Sequence, residues 1–247
     1  MLKWRMVETR PYKPLILFID LQAVYCAPPS AEEAAMMQRQ GAYVPTPAET
    51  EAVDNMIEGC NTLADLLRGK VKIGWAAMVL NFQDRFKISD NLEEFRKLLV
   101  KPGNTLFDFY KAQPKDGDVF VAKSENSALS NPTFMEMLEK EGYTHIYIGG
   151  CQKTECALST ALKQSVWEMF ERTAYGIETV MISDLSMDTH SSKNQFRPLP
   201  DAALTQARVE KLGVRTVTTP ALLAEINANL GRPVIIPAIA PDNKYET

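Results

Sequence analysis

Short apolar runs and segments of helical periodicity alternate along the whole chain. Residues 15–19 are continuously apolar, which is typical of a strand buried on both faces of a sheet. Residues 49–67 instead place their apolar side chains three and four positions apart, which predicts an amphipathic helix. Further strands are predicted at residues 71–79, 119–122, 145–148, 179–182 and 215–217, and helical patterns begin at Leu92, Pro132, Glu155, Asp201 and Pro220.

This alternation predicts an α/β fold. Strands that are apolar at every position need cover on both faces, so we expect three αβα layers around a mostly parallel, six-stranded, Rossmann-like sheet. The 247 residues fit one large domain, which we place at residues 1–230. The Pro-containing, Ala-rich residues 26–47 are expected to be irregular. Three prolines in residues 231–247 argue against a helix and predict an arm that packs on the domain or on a neighbouring subunit.

Composition narrows the range of partners. The chain has 27 basic and 31 acidic residues and a formal net charge of −4, without a long run of one sign, so nucleic acid is not an expected partner. Residues 1–14 interleave charged and apolar positions, unlike a secretory signal. Apolar runs fall well short of the roughly 20 residues that a membrane-spanning helix needs. We therefore expect a soluble, cytoplasmic protein without a membrane partner.

Cysteine and histidine are scarce. The four cysteines are Cys26, Cys60, Cys151 and Cys156. Their irregular spacing predicts reduced thiols, and it matches neither a redox C-x-x-C pair nor a zinc site, so no structural metal is predicted. Of the two histidines, His145 lies in a predicted strand and is interpreted as structural, whereas His190 is expected on the surface of a polar loop. Imidazole is therefore not expected to activate a nucleophile here.

Charged residues lie at the ends of two predicted strands. Open parallel sheets bind their ligands at the carboxyl ends of strands, where Asp20 and Lys123 are both found. Each has a common structural explanation, because such an acid often caps a helix and such a lysine is usually solvated or paired. Together they would form an ion pair that stabilises a nearby thiolate and leaves the carboxylate able to move a proton.

Cys156 follows a predicted strand and a Gly-Gly turn, and it opens a helical pattern that extends to Phe170. The positive end of a helix lowers the pKa of a thiol, and its unpaired N–H groups can hold an oxyanion. The alternative is a small buried side chain, the interpretation kept for the other three cysteines. A phosphate-binding turn at Gly149 and Gly150 is a further alternative.

Three segments, taken in order, resemble the isochorismatase-like cysteine hydrolases. They read LFIDLQ at residues 17–22, VAKSENSAL at residues 121–129 and GGCQKTECALSTA at residues 149–161. The family pattern is D-x-Q, K-x-x-x-S-A-F and G-x-x-T-x-x-C-V-x-x-T-A at comparable spacing. The similarity extends over about residues 14–230, and residues 216–223 are similar to the closing strand and helix of the family.

The resemblance implies a catalytic set. Cys156 would be the nucleophile, Asp20 the general acid and base, and Lys123 the residue that holds both in register. The oxyanion hole would use the backbone N–H groups of Gln152 and Cys156, beside a cis peptide bond between Cys151 and Gln152. The resemblance also implies a homo-oligomer that acts on a small-molecule substrate without a cofactor.

Several positions depart from the family pattern. Tyr25 takes the place of the aromatic pocket wall, and the loop threonine is displaced to Thr154, with Lys153 in its usual place. The residues expected to line the substrate pocket are Tyr25, Trp75, Asn81, Phe82 and Arg85. Arg85 would pair a substrate carboxylate, whereas core packing is the alternative for Trp75 and Phe82. Family members that hydrolyse nicotinamide hold a metal with histidines after the second strand, which this chain lacks there, so a nicotinamidase is not expected.

The sequence thus predicts a metal-independent cysteine hydrolase that cleaves the C–N bond of a small amide, ureido or carbamoyl compound through a thioester. Two alternatives stay open. One is an isochorismatase-type vinyl-ether hydrolase, which would need Asp20 but tolerate loss of Cys156. The other is a catalytically silent scaffold or binding subunit of the same fold, which the displaced Thr154 favours.

Overall fold

The computed structural model describes residues 8–162, 177–192 and 195–236. Its strands are β1 (Glu8–Pro11), β2 (Pro14–Ile19), β3 (Lys72–Met78), β4 (Ile88–Ser89), β5 (Val119–Lys123), β6 (His145–Gly150), β7 (Glu178–Ser186), β8 (Ser191–Ser192), β9 (Gln195–Phe196), β10 (Arg215–Val217) and β11 (Pro233–Ile236). Its α-helices are α1 (Ala23–Cys26), α2 (Ala31–Arg39), α3 (Pro47–Leu67), α4 (Leu92–Arg96), α5 (Pro132–Glu141), α6 (Leu158–Ala161), α7 (Ala202–Lys211) and α8 (Thr219–Asn229). Short 3₁₀ turns span Phe82–Asp84 and Ala128–Ser130, and a π-helical turn spans Lys153–Ala157.

The main sheet has seven strands in the order β10-β7-β6-β2-β3-β5-β4. The six strands predicted from the sequence are all present and pair in parallel. The seventh, β4, pairs antiparallel with β5 at the edge, and its two residues are too few to give a hydrophobic pattern. The prediction of a mostly parallel sheet is confirmed.

Helices cover both faces of this sheet. Every residue of the central strand β2 is buried, as its continuous apolar run predicted. Helices α3, α4 and α8 pack on one face with side chains such as Ile57, Phe95 and Leu222, in a cluster that includes Phe18. Helices α5, α6 and α7 pack on the other face around Leu17. The three-layer αβα architecture is therefore confirmed.

Local sequence explains where the main helices begin. Thr46 caps α3 in a reciprocal capping box with Glu49, with Pro47 at the first helical position. Asn131 lies in the segment that follows β5 and caps α5. Its side-chain Nδ2 also donates to Ala122 O at 2.8 Å. That second bond fixes the end of β5, next to Lys123. No described helix is long and apolar enough to cross a membrane.

One sequence-based expectation changes in the structure. Residues 26–47 are not wholly irregular, because α2 forms there behind a capping box of Ser30 and Glu33. None of the α2 side chains is buried, so the helix leaves no apolar stripe in the sequence. The C-terminal arm begins with β11, which pairs antiparallel with β1. The rest of the arm, residues 237–247, and the predicted helix beyond residue 162 lie outside the described residues.

Candidate active site

Asp20 lies directly after β2, at the carboxyl end of the sheet. Its backbone adopts a left-handed conformation with φ 53°, and its N–H donates to Ala76 O at 2.9 Å. Two residues later, the Gln22 side chain bonds both backbone groups of Met78, each at 2.9 Å, and also contacts Phe107 O. This clamp holds the end of β2 against the end of β3 and fixes the turn that carries the carboxylate.

Lys123 ends β5 and points its ammonium at Asp20. Its Nζ lies 2.7 Å from Asp20 Oδ2, and both side chains are almost completely inaccessible to solvent. The same Nζ donates to Glu125 O at 3.2 Å. The ion pair expected from the two strand ends is therefore present, and it is buried.

Gly149 and Gly150, at the end of β6, let this strand lie close to β2. A Cβ on Gly150, whose φ is 101°, would lie 2.2 Å from Ile19 O, and a Cβ on Gly149 would lie 3.0 Å from Phe18 Cδ1. Any larger residue at Gly150 would therefore collide with the backbone of β2. Close packing explains the glycines, and the phosphate-binding interpretation is not needed.

Cys156 lies in the π-helical turn that follows β6. The N–H groups of Glu155 and Ala157 both donate to Gln152 O, at 3.1 and 3.0 Å. Thr160 Oγ1 donates to Cys156 O at 2.8 Å and accepts from Ala128 N at 3.0 Å, so it joins the cysteine helix to the loop after Lys123. The Cys156 side chain is only 7% exposed, and its placement in a first helical turn agrees with the sequence-based expectation.

Electrostatics couple the three side chains. Burial raises the pKa of the Asp20 carboxyl above its ordinary value, although Lys123 opposes the shift. The pKa of the Cys156 thiol is raised to about 12, first by burial and then by the Asp20 charge, with Lys123 opposing. Burial opposes the charged form of Lys123, but Asp20 and Cys156 outweigh it and raise its pKa. The resting site therefore does not show the lowered thiol pKa that the sequence led us to expect, because burial and the Asp20 charge together outweigh Lys123.

The sequence matches a known family over most of its length. A family model described as an isochorismatase domain matches residues 14–197. The chain belongs to the isochorismatase family. The resemblance carried by the three sequence motifs is thus confirmed. No curated protein matches the chain by sequence.

Solved structures of the isochorismatase family share this fold at low identity. A cysteine hydrolase from Pseudomonas syringae pv. phaseolicola 1448A is 15% identical with a TM-score of 0.58, over 92% of this chain and 100% of that one. A putative hydrolase of the isochorismatase family from Chromobacterium violaceum ATCC 12472 is 15% identical with a TM-score of 0.56, over 90% and 100%. The zinc complex of the pyrazinamidase of Pyrococcus horikoshii is 16% identical with a TM-score of 0.52, over 83% and 99%. At these identities the likeness establishes the fold.

The cysteine loop of this isochorismatase-family chain is held by side-chain hydrogen bonds. The peptide bond between Cys151 and Gln152 is cis, as the resemblance implied. The Gln152 carboxamide pairs with Thr189, accepting from its N–H at 2.7 Å and donating to its Oγ1 at 2.6 Å. Thr154 donates from N and Oγ1 to the two carboxylate oxygens of Asp188, both at 2.9 Å. The displaced threonine therefore anchors the loop to Asp188.

The residues predicted to line the substrate pocket do not all lie in the same surroundings. Tyr25 is half-buried, and burial followed by the Asp20 charge raises its pKa. Trp75 is fully buried in the core, where its Nε1 donates to Asp118 Oδ2 at 2.7 Å, at the amino end of β5. No surface of Trp75 is left for a substrate, so core packing is the correct interpretation and the pocket assignment is wrong.

Asn81, Phe82 and Arg85 lie in the loop after β3, at the same edge of the sheet as Asp20. Asn81 Oδ1 accepts from Gln83 N at 3.1 Å, so it caps the 3₁₀ turn. Phe82 is 60% exposed, not core, and the Arg85 guanidinium lies 3.7 Å from its ring centroid. Their role in substrate binding stays a prediction.

The other cysteines and the histidines have structural surroundings. Cys26, Cys60 and Cys151 are fully buried free thiols, in agreement with the expectation of reduced cysteines. His190 is fully buried rather than exposed, because its ring stacks on Phe196 and its Nε2 lies 3.3 Å from Ala27 O. Among the described residues, no three His, Cys, Asp or Glu side chains are arranged to hold a metal.

Asn126 is a site residue that the sequence analysis missed. Its Oδ1 lies 3.8 Å from Cys156 Sγ, and the residue is exposed. It belongs to the short loop that follows Lys123 and that Thr160 ties to Cys156. Its position three residues after a predicted catalytic strand end was the available signal, because loops at that edge border the ligand site.

Proposed function

We propose that this protein is a cysteine amidohydrolase that cleaves the C–N bond of a small amide, ureido or carbamoyl compound through a thioester. The observation that carries the proposal is the buried ion pair of Asp20 and Lys123 beside the Cys156 thiol. A buried ion pair is costly to desolvate and adds little to stability, so its placement against a thiol favours a chemical role.

In the first half-reaction, Asp20 removes the thiol proton of Cys156 as the sulfur attacks the carbonyl carbon of the substrate. The raised pKa of the Asp20 carboxyl suits it to accept that proton. Proton transfer leaves Asp20 neutral, and the negative charge moves through the sulfur to the carbonyl oxygen, while Lys123 keeps its positive charge. The backbone N–H groups of Gln152 and Cys156 are the donors assigned to the oxyanion of the tetrahedral intermediate.

Collapse of this intermediate breaks the C–N bond. The proton held by Asp20 passes to the leaving nitrogen, which departs as ammonia or an amine, and the acyl group remains on Cys156 as a thioester. In the second half-reaction, Asp20 takes a proton from water while the hydroxide attacks the thioester carbon. The sulfur leaves as a thiolate and recovers the proton, which restores the resting site.

The substrate class rests on the nucleophile. Forming an acyl intermediate at an amide or ureido carbonyl needs a nucleophile such as a thiol, whereas vinyl-ether hydrolysis does not require one. Asn126 borders the thiol, and Tyr25, Asn81, Phe82 and Arg85 are the further residues assigned to the substrate. The solved neighbours named cysteine hydrolase and pyrazinamidase are consistent with amide chemistry on this fold.

Assembly and location are part of the same proposal. Family resemblance favours a homo-oligomer, and the near-neutral charge and sequence pattern favour the cytoplasm. Sedimentation velocity of the purified protein tests the first, with a single species at the monomer mass as the opposing result.

Ammonia release from a panel of small amides, ureido acids and carbamoyl amino acids tests the function. The native protein is compared with Cys156→Ala and Asp20→Asn. We expect release from at least one class, reduced at least about a thousandfold in both variants. No release from any compound would favour the isochorismatase-type vinyl-ether hydrolase or the scaffold, because neither releases ammonia.

A further inference from the structure

A second polar cleft lies beside the cysteine loop, outside the catalytic set. It has a volume of about 570 Å³ and is formed by the carboxyl ends of β7 and β10 together with α7. The polar residues that line it are Lys153, Ser183, Asp184, Gln206, Glu210, Thr216 and Thr218. The carboxyl ends of parallel strands are where open α/β sheets bind ligands, and no catalytic residue lines this cleft.

Lys153 supplies a buried ammonium at one side of the cleft. The residue is 5% exposed, and its Nζ donates to Ser183 O at 3.2 Å. That carbonyl is available because β7 shifts register against β6 between the residues paired with Ile148 and Gly150. No carboxylate of the described residues lies within 4.0 Å of the Lys153 Nζ in an ion pair. An ammonium has three N–H donors, so Lys153 has donors left for an anion.

Lysine burial without a counter-ion has an electrostatic consequence. Burial lowers the pKa of Lys153, although the charges of Asp188, Glu210 and Asp184 oppose the shift. An anion bound at the Nζ would restore the charged form. The Lys153 ammonium therefore lacks the ion-pair partner that buried cations normally have.

Acceptors lie on the α7 side of the cleft. Gln206 Nε2 donates to Glu210 Oε1 at 2.7 Å, which leaves the other Glu210 oxygen to the cleft. Gln206 Oε1 is buried and has no hydrogen-bond donor among the described residues. Asp184 adds a further negative charge, although both of its carboxylate oxygens accept from Thr219 N at 2.9 and 3.0 Å. The negative charge on this side of the cleft favours a positively charged ligand group at the exposed Glu210.

We propose that this cleft binds a small zwitterion, with its carboxylate on Lys153 and its ammonium on the carboxylate of Glu210. A simple anion would satisfy Lys153 but would face the carboxylates of Asp184 and Glu210. A simple cation would meet the acceptors but would leave Lys153 unpaired. Only a molecule with both charges matches the donor side and the acceptor side together.

The cleft is an effector site rather than a substrate site. Lys153 directly follows Gln152 and lies three residues before Cys156, and its N–H donates to Met187 O at 3.1 Å. A ligand on its side chain therefore acts on the turn that holds the nucleophile. This inference does not rest on the proposed amidase activity, because binding is measured without turnover.

Isothermal titration calorimetry of the full chain at pH 7 tests the site. The probes are glycine, β-alanine and 4-aminobutyrate, with propionate and propylamine as single-charge analogues. We expect one of the three zwitterions to bind in a saturable way, at least tenfold more tightly than either analogue. Binding should persist in Cys156→Ala, which places it outside the catalytic site. Absence of saturable binding by every zwitterion, equal binding of propionate, or loss in Cys156→Ala would overturn the proposal.

Variants locate the two halves of the site. Lys153→Met keeps the length of the side chain and removes its charge, and Glu210→Gln removes the facing carboxylate from an exposed helix position. Each should weaken the zwitterion at least tenfold, whereas Lys211→Met on the same helix, outside the cleft, should bind like the native protein. Circular dichroism checks folding, and Glu210→Gln gives the result if Lys153→Met does not fold. Unchanged binding in Glu210→Gln would overturn the inference.

Discussion

Asp20 and Lys123 belong to strands that are not neighbours in the sheet, yet their charged groups meet at 2.7 Å across the end of β3. The last residue of β3, Met78, pairs in register with Lys123 and is clamped through its backbone by Gln22. The ion pair therefore depends on three strands that end at the same level. The glutamine of the D-x-Q motif therefore has a structural role that supports the aspartate.

Removing one member of this pair should cost stability as well as activity. Asp20→Asn leaves the buried Lys123 ammonium without its counter-charge, so we expect the free energy of unfolding to fall by roughly 3–5 kcal/mol. The double variant Asp20→Asn with Lys123→Met removes both charges and should recover much of that loss while staying inactive. Urea unfolding together with the substrate assay measures both effects.

The outcome of this double variant separates the two roles of the pair. If it were no more stable than the single variant, the ion pair would not be the reason for the loss. If it kept native activity, Asp20 would not act as the acid and base. The single and double variants are compared at the same neutral pH. Burial raises the pKa of Asp20, and both variants remove that same buried charge.

Alkylation should distinguish Cys156 from the other three cysteines. Its side chain is 7% exposed, whereas Cys26, Cys60 and Cys151 are fully buried. Iodoacetamide at pH 7.5 should modify Cys156 first, with the other three reacting only after unfolding. Peptide mass spectrometry over time measures the order. Modification of Cys60 as fast as Cys156 would contradict the assignment of Cys156 as the accessible nucleophile.

The raised thiol pKa also predicts how the alkylation rate depends on pH. With Asp20 charged, the Cys156 pKa is raised to about 12, so the rate should still increase above pH 9. A sequence-based expectation of a thiolate at neutral pH would instead give a plateau below pH 8. The difference arises because the helix terminus can be inferred from the sequence, whereas burial beside a carboxylate cannot.

Hydrophobic pattern was sufficient to predict the parallel sheet. Continuous apolar runs mark strands such as β2 because both faces are covered, and every predicted strand is present. The same criterion missed α2, which buries no side chain, and β4, which has two residues. Elements without a buried face leave no periodic signal, and only the capping residues Ser30 and Glu33 marked α2.

The meeting of Asp20, Lys123 and Cys156 at one edge of the sheet was predictable because each follows a strand end, whereas the residues around them were not. An aromatic residue such as Trp75 suits a pocket wall. The alternation of side-chain direction along β3 instead turns Trp75 into the core, where its indole donates a hydrogen bond to Asp118. Asn126 carries no motif of its own and is placed against the thiol only by the folded loop. Contacts between distant segments decide such roles.

Asn126 presents an uncharged carboxamide to the Cys156 thiol, so a charge at this position should change the pKa of the thiol. Asn126→Asp would place a carboxylate about where Oδ1 now lies 3.8 Å from the sulfur, so the pKa of Cys156 should rise further. We expect kcat/KM to fall roughly tenfold to a hundredfold and the alkylation curve to move to higher pH. Asn91→Asp is the matched control, because Asn91 caps α4 and aspartate serves equally there. An unshifted alkylation curve in Asn126→Asp would remove Asn126 from the site.

His190 should make stability depend on pH. Burial lowers its pKa from the ordinary 6.5, so below pH 6.5 the unfolded chain binds a proton that the folded chain refuses. The free energy of unfolding should therefore fall with decreasing pH, with a contribution of about 1.4 kcal/mol per pH unit until the lowered pKa is reached.

The variant His190→Gln isolates this contribution because it keeps a donor for Ala27 O, which lies 3.3 Å from the native Nε2, and has no titration in this range. Carboxylates and His145 titrate in both proteins, so their effects cancel in the difference between the two stabilities. Urea unfolding at pH 8.0, 6.5 and 5.5 should show a native-minus-variant difference that shrinks on acidification. A difference that stays constant over this range would mean that His190 is protonated in the folded chain, and that its burial against Phe196 does not exclude the charge.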